Sequence, residues 1–112
     1  MIESINRVEL LGRCGSVKKL ETATGQFVKI TLVTTRVYKD RDGNMIDEQT
    51  WHCVIISPDC RAENLDKLKA YATVHVHGRI HLTKYTLADG SERTFQDIVA
   101  NDVKVYSDKQ QD

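Results

Sequence analysis

Four groups of side chains in this sequence have the types and spacing to do chemistry. The single tryptophan, Trp51, follows the polar pair Gln49-Thr50 and precedes His52, a setting that suits a half-exposed ring as well as a core one. Tyr38 and Tyr85 each sit beside a lysine (Lys39, Lys84) and next to a turn, where a tyrosine is ordinarily amphipathic surface. His75, His77 and His81 have even spacing, so on a strand they share a face, and imidazoles two residues apart could meet one zinc ion. Arg79 lies among them, and no carboxylate or cysteine is close in sequence on that face, so no metal is expected. Cys53 adjoins His52, but neighbours on a strand point to opposite faces and cannot form a nucleophile–base pair. Cys60 stands where a helix N-terminus could lower a thiol pKa. There is no phosphate-binding loop and no pair of carboxylates at useful spacing, so neither an enzyme nor a cofactor is expected.

The elements that must position these groups are mostly strands. Ile5 to Arg13 is β-compatible and ends at Gly12 and Gly15. Gln26 to Tyr38 alternates, with Val28, Ile30 and Leu32 on one face and Lys29, Thr31, Val33 and Thr35 on the other. Asp42-Gly43 marks a hairpin turn. Glu48 to Ile56 resumes as a strand with Trp51, Cys53 and Ile55 on one side. Ser57-Pro58-Asp59 should break it, and Ala62, Leu65, Leu68 and Tyr71, three apart, predict one short helix over Cys60 to Tyr71. Thr73 to Tyr85 and Thr94 to Tyr106 are strands joined by a turn at Ala88-Asp89-Gly90-Ser91. Gly78 falls mid-strand, where a bulge or bend is expected. Three strands, a helix and two strands suit a five-stranded Greek-key barrel of the OB type, an all-β fold; periodicity alone leaves SH3-like barrels and split sandwiches open.

The chain has 112 residues, one domain's worth. No apolar run approaches a membrane span, and the N-terminus lacks the basic and apolar regions of a secretion signal. Three cysteines without C-x-x-C spacing argue against a disulfide framework and for a reducing cytosol, so a cytoplasmic location is expected. Lys+Arg and Asp+Glu are both 16, so any polyanion must be held by local placement of cations.

Ile5-Asn6-Arg7-Val8-Glu9-Leu10-Leu11-Gly12, the Ile30-Thr31-Leu32 core of the second strand, Tyr38-Lys39-Asp40, Gln49-Thr50-Trp51-His52, Val76-His77-Gly78-Arg79-Ile80 with Lys84-Tyr85, and Asp89-Gly90-Ser91-Glu92-Arg93 occur in order. Together, from Ile5 to Tyr106, they resemble the bacterial single-stranded DNA-binding (SSB) family. The resemblance implies an OB-fold domain over residues 1–106, with 107–112 a short polar tail. It implies sequence-independent binding of single-stranded DNA, protecting strands exposed in replication, recombination, repair or plasmid transfer. Trp51, Tyr38 and Tyr85 match family stacking aromatics, and Lys84 a family cation; Lys29, Arg36 and Arg93 are further candidate phosphate contacts. The positions of His52 and His75 lie near subunit contacts, and the expected assembly is a homotetramer, or a dimer.

Several positions depart from the family pattern. Tyr38 and Tyr85 stand where tryptophan is frequent, Ser57 where phenylalanine is common and Cys53 where arginine is. Glu9 replaces a usually apolar residue of the pairing strand. The family's long tail with an acidic end is not seen, so tail-mediated partner recruitment is not expected. The alternative function is an OB-fold protein-interaction adaptor of a primosome or replisome with weak DNA affinity.

Overall fold

The structure is a computed structural model and describes residues 3–106. The polar tail read at 107–112 lies outside the described residues, as do Met1 and Ile2. Five long strands make the fold: β1 (Val8–Thr22), β2 (Gly25–Lys39), β3 (Met45–Glu63), β4 (Thr73–Thr86) and β5 (Glu92–Tyr106). They close into a barrel in the order β1-β2-β3-β5-β4, with β4 returning to pair with β1. β3 and β5 are parallel; the other pairs are antiparallel. This is the Greek-key closure expected of an OB barrel, and it leaves the barrel body without an open edge. No described helix is long and apolar enough to cross a membrane.

The interior follows from alternation. Val28, Ile30 and Leu32 of β2 meet Val54 and Ile56 of β3, Val74 and Val76 of β4, and Val103 and Val105 of β5, all buried. β-Branched residues dominate this list because they pack well on a pleated surface. Two glycines let the strands close. A Cβ on Gly12 would lie 2.2 Å from the Val33 carbonyl oxygen, and one on Gly78 2.3 Å from that of Val99. The bend expected at Gly78 appears as a bulge whose extra residue is on the facing strand: His77 pairs with Asp102 but Gly78 with Ala100.

The helix expected over Cys60–Tyr71 is corrected to a single 3-10 turn, Leu65–Lys67. β3 does not stop at Pro58 but runs to Glu63, because Arg61, Ala62 and Glu63 find partners in Asp102, Val103 and Lys104 of β5. Pro58 falls in the irregular stretch between Ile56 and Arg61, where its missing N–H costs no ladder bond. The apolar spacing was nonetheless a burial signal: Cys60, Leu65 and Leu68 pack against the core. β1 likewise runs through Gly12 and Gly15 to Thr22 instead of ending there. The turns at Asp42-Gly43 and Ala88-Asp89-Gly90-Ser91 lie where expected, Gly43 and Gly90 taking the positive φ values of 84° and 88°.

Candidate nucleic-acid interface

Trp51 stands on the outer face of β3, directly across from Val33 of β2, and is 64% exposed. Its ring reaches over β2 toward β1, where a Cβ on Gly15 would lie 3.5 Å from Trp51 Cζ3. β1 carries a bulge between Cys14 and Val17, and Ser16 in that bulge shares a 3.0 Å hydroxyl contact with Thr31. The result is a groove of about 790 Å³ bordered by Trp51, Val33, Gly15, Arg13 and Tyr71.

Tyr71 is the residue in this groove that the sequence did not reveal. The stripe expected for a helix over Cys60 to Tyr71 includes it, but it lies in a turn, 76% exposed. Its φ of 72° is unusual for a bulky residue, and two backbone bonds hold it there: Tyr71 N–H donates to the Cys14 carbonyl (2.7 Å) and Cys14 N–H to that of Ala72 (2.8 Å). No local sequence signal marks this, because the bonds join segments more than fifty residues apart. Arg13, a cation at the same groove, was also missed.

A second groove, about 460 Å³, continues on the outer face of β3 and β5. Lys29, Cys53, Tyr85, Phe95 and Asp97 line it. Tyr85 and Phe95 meet edge to face at 5.1 Å, and Phe95 is the partner that sequence reading passed over. Its register position opposite Thr83, two from Tyr85, puts it on the same face. Burial first, and then a hydrogen bond to Asp97, raise the Cys53 thiol above its ordinary value, with Lys29 pulling the other way. Cys53 is therefore neutral at neutral pH. The groove thus holds one buried carboxylate, Asp97, and one cation, Lys29, beside the aromatic rings of Tyr85 and Phe95: a surface for base faces more than for phosphates.

Of the expected site residues, the structure unites Trp51, Lys29, Tyr85 and Arg93 on one outer surface; Arg93 is there by its pairing with Tyr85. It does not bring the others to that surface. Tyr38 and Arg36 are an odd number of residues from Val33 along an unbroken ladder, so they project from the reverse face of the β2–β3 ribbon. There the Arg36 guanidinium lies 5.0 Å from the Tyr38 ring centroid, a cation–π pair. Lys84 likewise points away from its neighbour Tyr85. His52 is half-buried, its Nε2 2.9 Å from Thr34 Oγ1, and His75 contacts Glu9. Ser57, at the site that lacks an aromatic, lines a small cleft with Phe27, while its hydroxyl donates to Asp59 (2.6 Å).

The comparison with known families decides the relationship. The Single-strand binding protein family (SSB) matches residues 5–106. The chain belongs to that family. The Single-stranded DNA-binding protein of Xanthomonas axonopodis pv. citri is 34% identical over 107 residues, covering 94% of this chain and 59% of the relative. That of Neisseria meningitidis serogroup A is 33% identical over 104 residues, covering 91% and 60%. The chain thus spans about three-fifths of the length of these relatives. Among solved structures, "Plasmodium falciparum SSB complex with ssDNA" superposes with a TM-score of 0.77 at 19% identity, covering 96% of this chain and 99% of that one. The small single-stranded DNA-binding protein from Streptomyces coelicolor superposes with 0.64 at 21% identity, covering 92% and 95%. These two share the fold. Within the SSB family, Asn6 also acquires a physical role. Its amide accepts from Ile80 N–H (2.9 Å) and donates to Ile80 C=O (2.8 Å), tying the N-terminal segment to β4.

Proposed function

We propose that this SSB-family chain binds single-stranded DNA without sequence preference, laying bases across the two outer grooves. The observation that carries the reading is the row of exposed aromatics on one surface: Tyr71 and Trp51 at the first groove, Tyr85 and Phe95 at the second. Every base has a π-face, so stacking holds any sequence, at about 1–3 kcal/mol per base. Arg13, Lys29 and Arg93 are the cations placed to follow phosphates along this path. Arg36, Tyr38 and Lys84, on the reverse faces, serve a strand that wraps around the hairpins or contribute little. The biological roles are those of the family: cover for single strands in replication, recombination and repair. Assembly into a homotetramer, or a dimer, completes the proposal, with His52 and His75 near the subunit contacts; light scattering at micromolar concentration tests it, and a monomer rejects it.

Anisotropy of labelled oligonucleotides tests the binding itself. Oligo(dT) and mixed-sequence single strands should bind with similar affinity and duplex DNA much more weakly. With few cations on the path, the slope of log K against log salt should be shallow, about −1 to −3 per subunit, at roughly −0.7 per phosphate neutralised. A flat slope with no detectable binding would favour the adaptor reading; a steep slope would mean that phosphates, not bases, dominate.

A further inference from the structure

We infer that Glu9, His75 and His77 form a divalent metal site on the outer face of β1 and β4, of the kind that takes zinc. Sequence spacing argues against a metal here because Arg79 lies among the histidines and no carboxylate is near them along the chain. The barrel closure supplies one. β1 pairs with β4 so that Glu9 is directly opposite His77 and diagonal to His75 on one outward face. Glu9 Oε2 lies 2.6 Å from His75 Nε2 and 3.6 Å from His77 Nε2. The two imidazoles, 4.6 Å apart between centroids and tilted by 54°, are not stacked. The three candidate donor atoms all lie within 4.8 Å of one another.

Zinc bound at about 2.0–2.2 Å to nitrogen and oxygen in a tetrahedron requires donors about 3.3–3.5 Å apart. The two Glu–His separations bracket that value. Small side-chain rotations would open the 2.6 Å contact and admit the ion, with the strands already in place. Two neutral imidazoles and one carboxylate are a donor set that suits zinc, with water completing the coordination. Neighbouring charges act in both directions: Arg79, two residues from His77 on the same face, and Arg61, which lines a cleft with His77, oppose the ion. Asp102 pairs with His77 from β5, and Lys104, opposite His75, leans toward the Tyr106 ring at 5.1 Å. His81 is not part of the set; its Nδ1 contacts Thr83. None of the three ligands lines the DNA grooves, but His75 is also placed near the subunit contacts of the proposed assembly, so the ion would lie at or beside that contact. The ion would join β1 to β4 at the seam where the barrel closes.

The test is titration of the chelator-stripped, full-length protein with Zn2+ by calorimetry, and with Co2+ by absorption. We expect one ion per chain, a Zn2+-dependent rise in melting temperature, and cobalt bands of tetrahedral type. His75→Gln and His77→Gln should each weaken binding by roughly tenfold or more, and Glu9→Gln, which preserves shape, should do likewise. His81→Gln should leave it unchanged. Circular dichroism confirms that each variant is folded, and Glu9→Gln serves if a histidine variant is not. Absence of saturable binding, equal affinity in the triad variants, or a cobalt spectrum dominated by thiolate charge transfer would overturn the site.

Discussion

The barrel body and its two hairpin arms carry the same two-residue alternation with opposite outcomes. In the body, Leu32, Val54 and Val76 are wholly buried. On the β4–β5 arm, Leu82 keeps the parity of Val76 yet is 60% exposed, because the ladder has run past the end of the barrel. Alternation states which residues share a face. Only closure decides whether that face is covered. The arms hold Tyr38, Tyr85 and Phe95, so the part of the molecule that contributes least to the core contributes several of its exposed rings.

The largest expected difference between the two regions is in stability. Leu32→Ala should cost about 2–5 kcal/mol, the usual range for truncating a buried leucine. Leu82→Ala should stay within about 0.5 kcal/mol, as for an ordinary surface change. Denaturant unfolding of both variants checks this; similar losses would mean that the arms are packed in solution. Gly78→Ala belongs with Leu32→Ala, since its Cβ would collide with the backbone of Val99.

The next contrast is in binding. Tyr85→Ala and Phe95→Ala, on the outer face, should each cost about 1–3 kcal/mol of oligo(dT) affinity, and Tyr71→Ala a similar amount. Tyr38→Ala, on the reverse face, should cost less than any of these. Anisotropy titrations rank the four, and a larger loss at Tyr38 would show that the strand wraps around the β2–β3 ribbon.

The legibility of the molecule follows the same division. Alternation and turn chemistry placed the strands, their inner faces and two hairpins, because these depend on local periods and on Asp42-Gly43 and Asp89-Gly90. Trp51, Lys29, Tyr85 and Arg93 were found by resemblance and lie on one surface. The failures all involve distant pairing. β3 continues beyond Pro58 only because β5 lies parallel to it, and Tyr71 is exposed only because Cys14 pins its backbone. Glu9 meets His75 and His77 only through β1–β4 closure. No window along the chain contains those partners.

A smaller effect should appear at the tip of the β4–β5 arm. Asp89 accepts from the Ser91 hydroxyl (2.6 Å) and backbone N–H (3.0 Å), and these bonds, the hydroxyl first, lower its pKa. A carboxyl depressed in the folded state stabilises above its unfolded pKa. That contribution is lost as pH falls, from about pH 4 downward. Hydrogen-exchange protection at the Ser91 amide, corrected for the intrinsic pH dependence of exchange, should therefore fall in acid, and Asp89→Asn should remove most of this dependence while leaving the barrel amides unchanged. Acid-sensitive exchange in the barrel amides instead would place the weak point elsewhere.

The central claim, base stacking on Trp51, has a direct optical test because this is the protein's one tryptophan. Tryptophan emission is followed as oligo(dT) is added, with anisotropy of the labelled strand recording saturation in the same sample. Stacking predicts a saturable quench that tracks binding, and Trp51→Ala should remain folded while losing about 1–3 kcal/mol of affinity. Emission unchanged at saturating DNA, or full affinity retained in Trp51→Ala, would contradict the account.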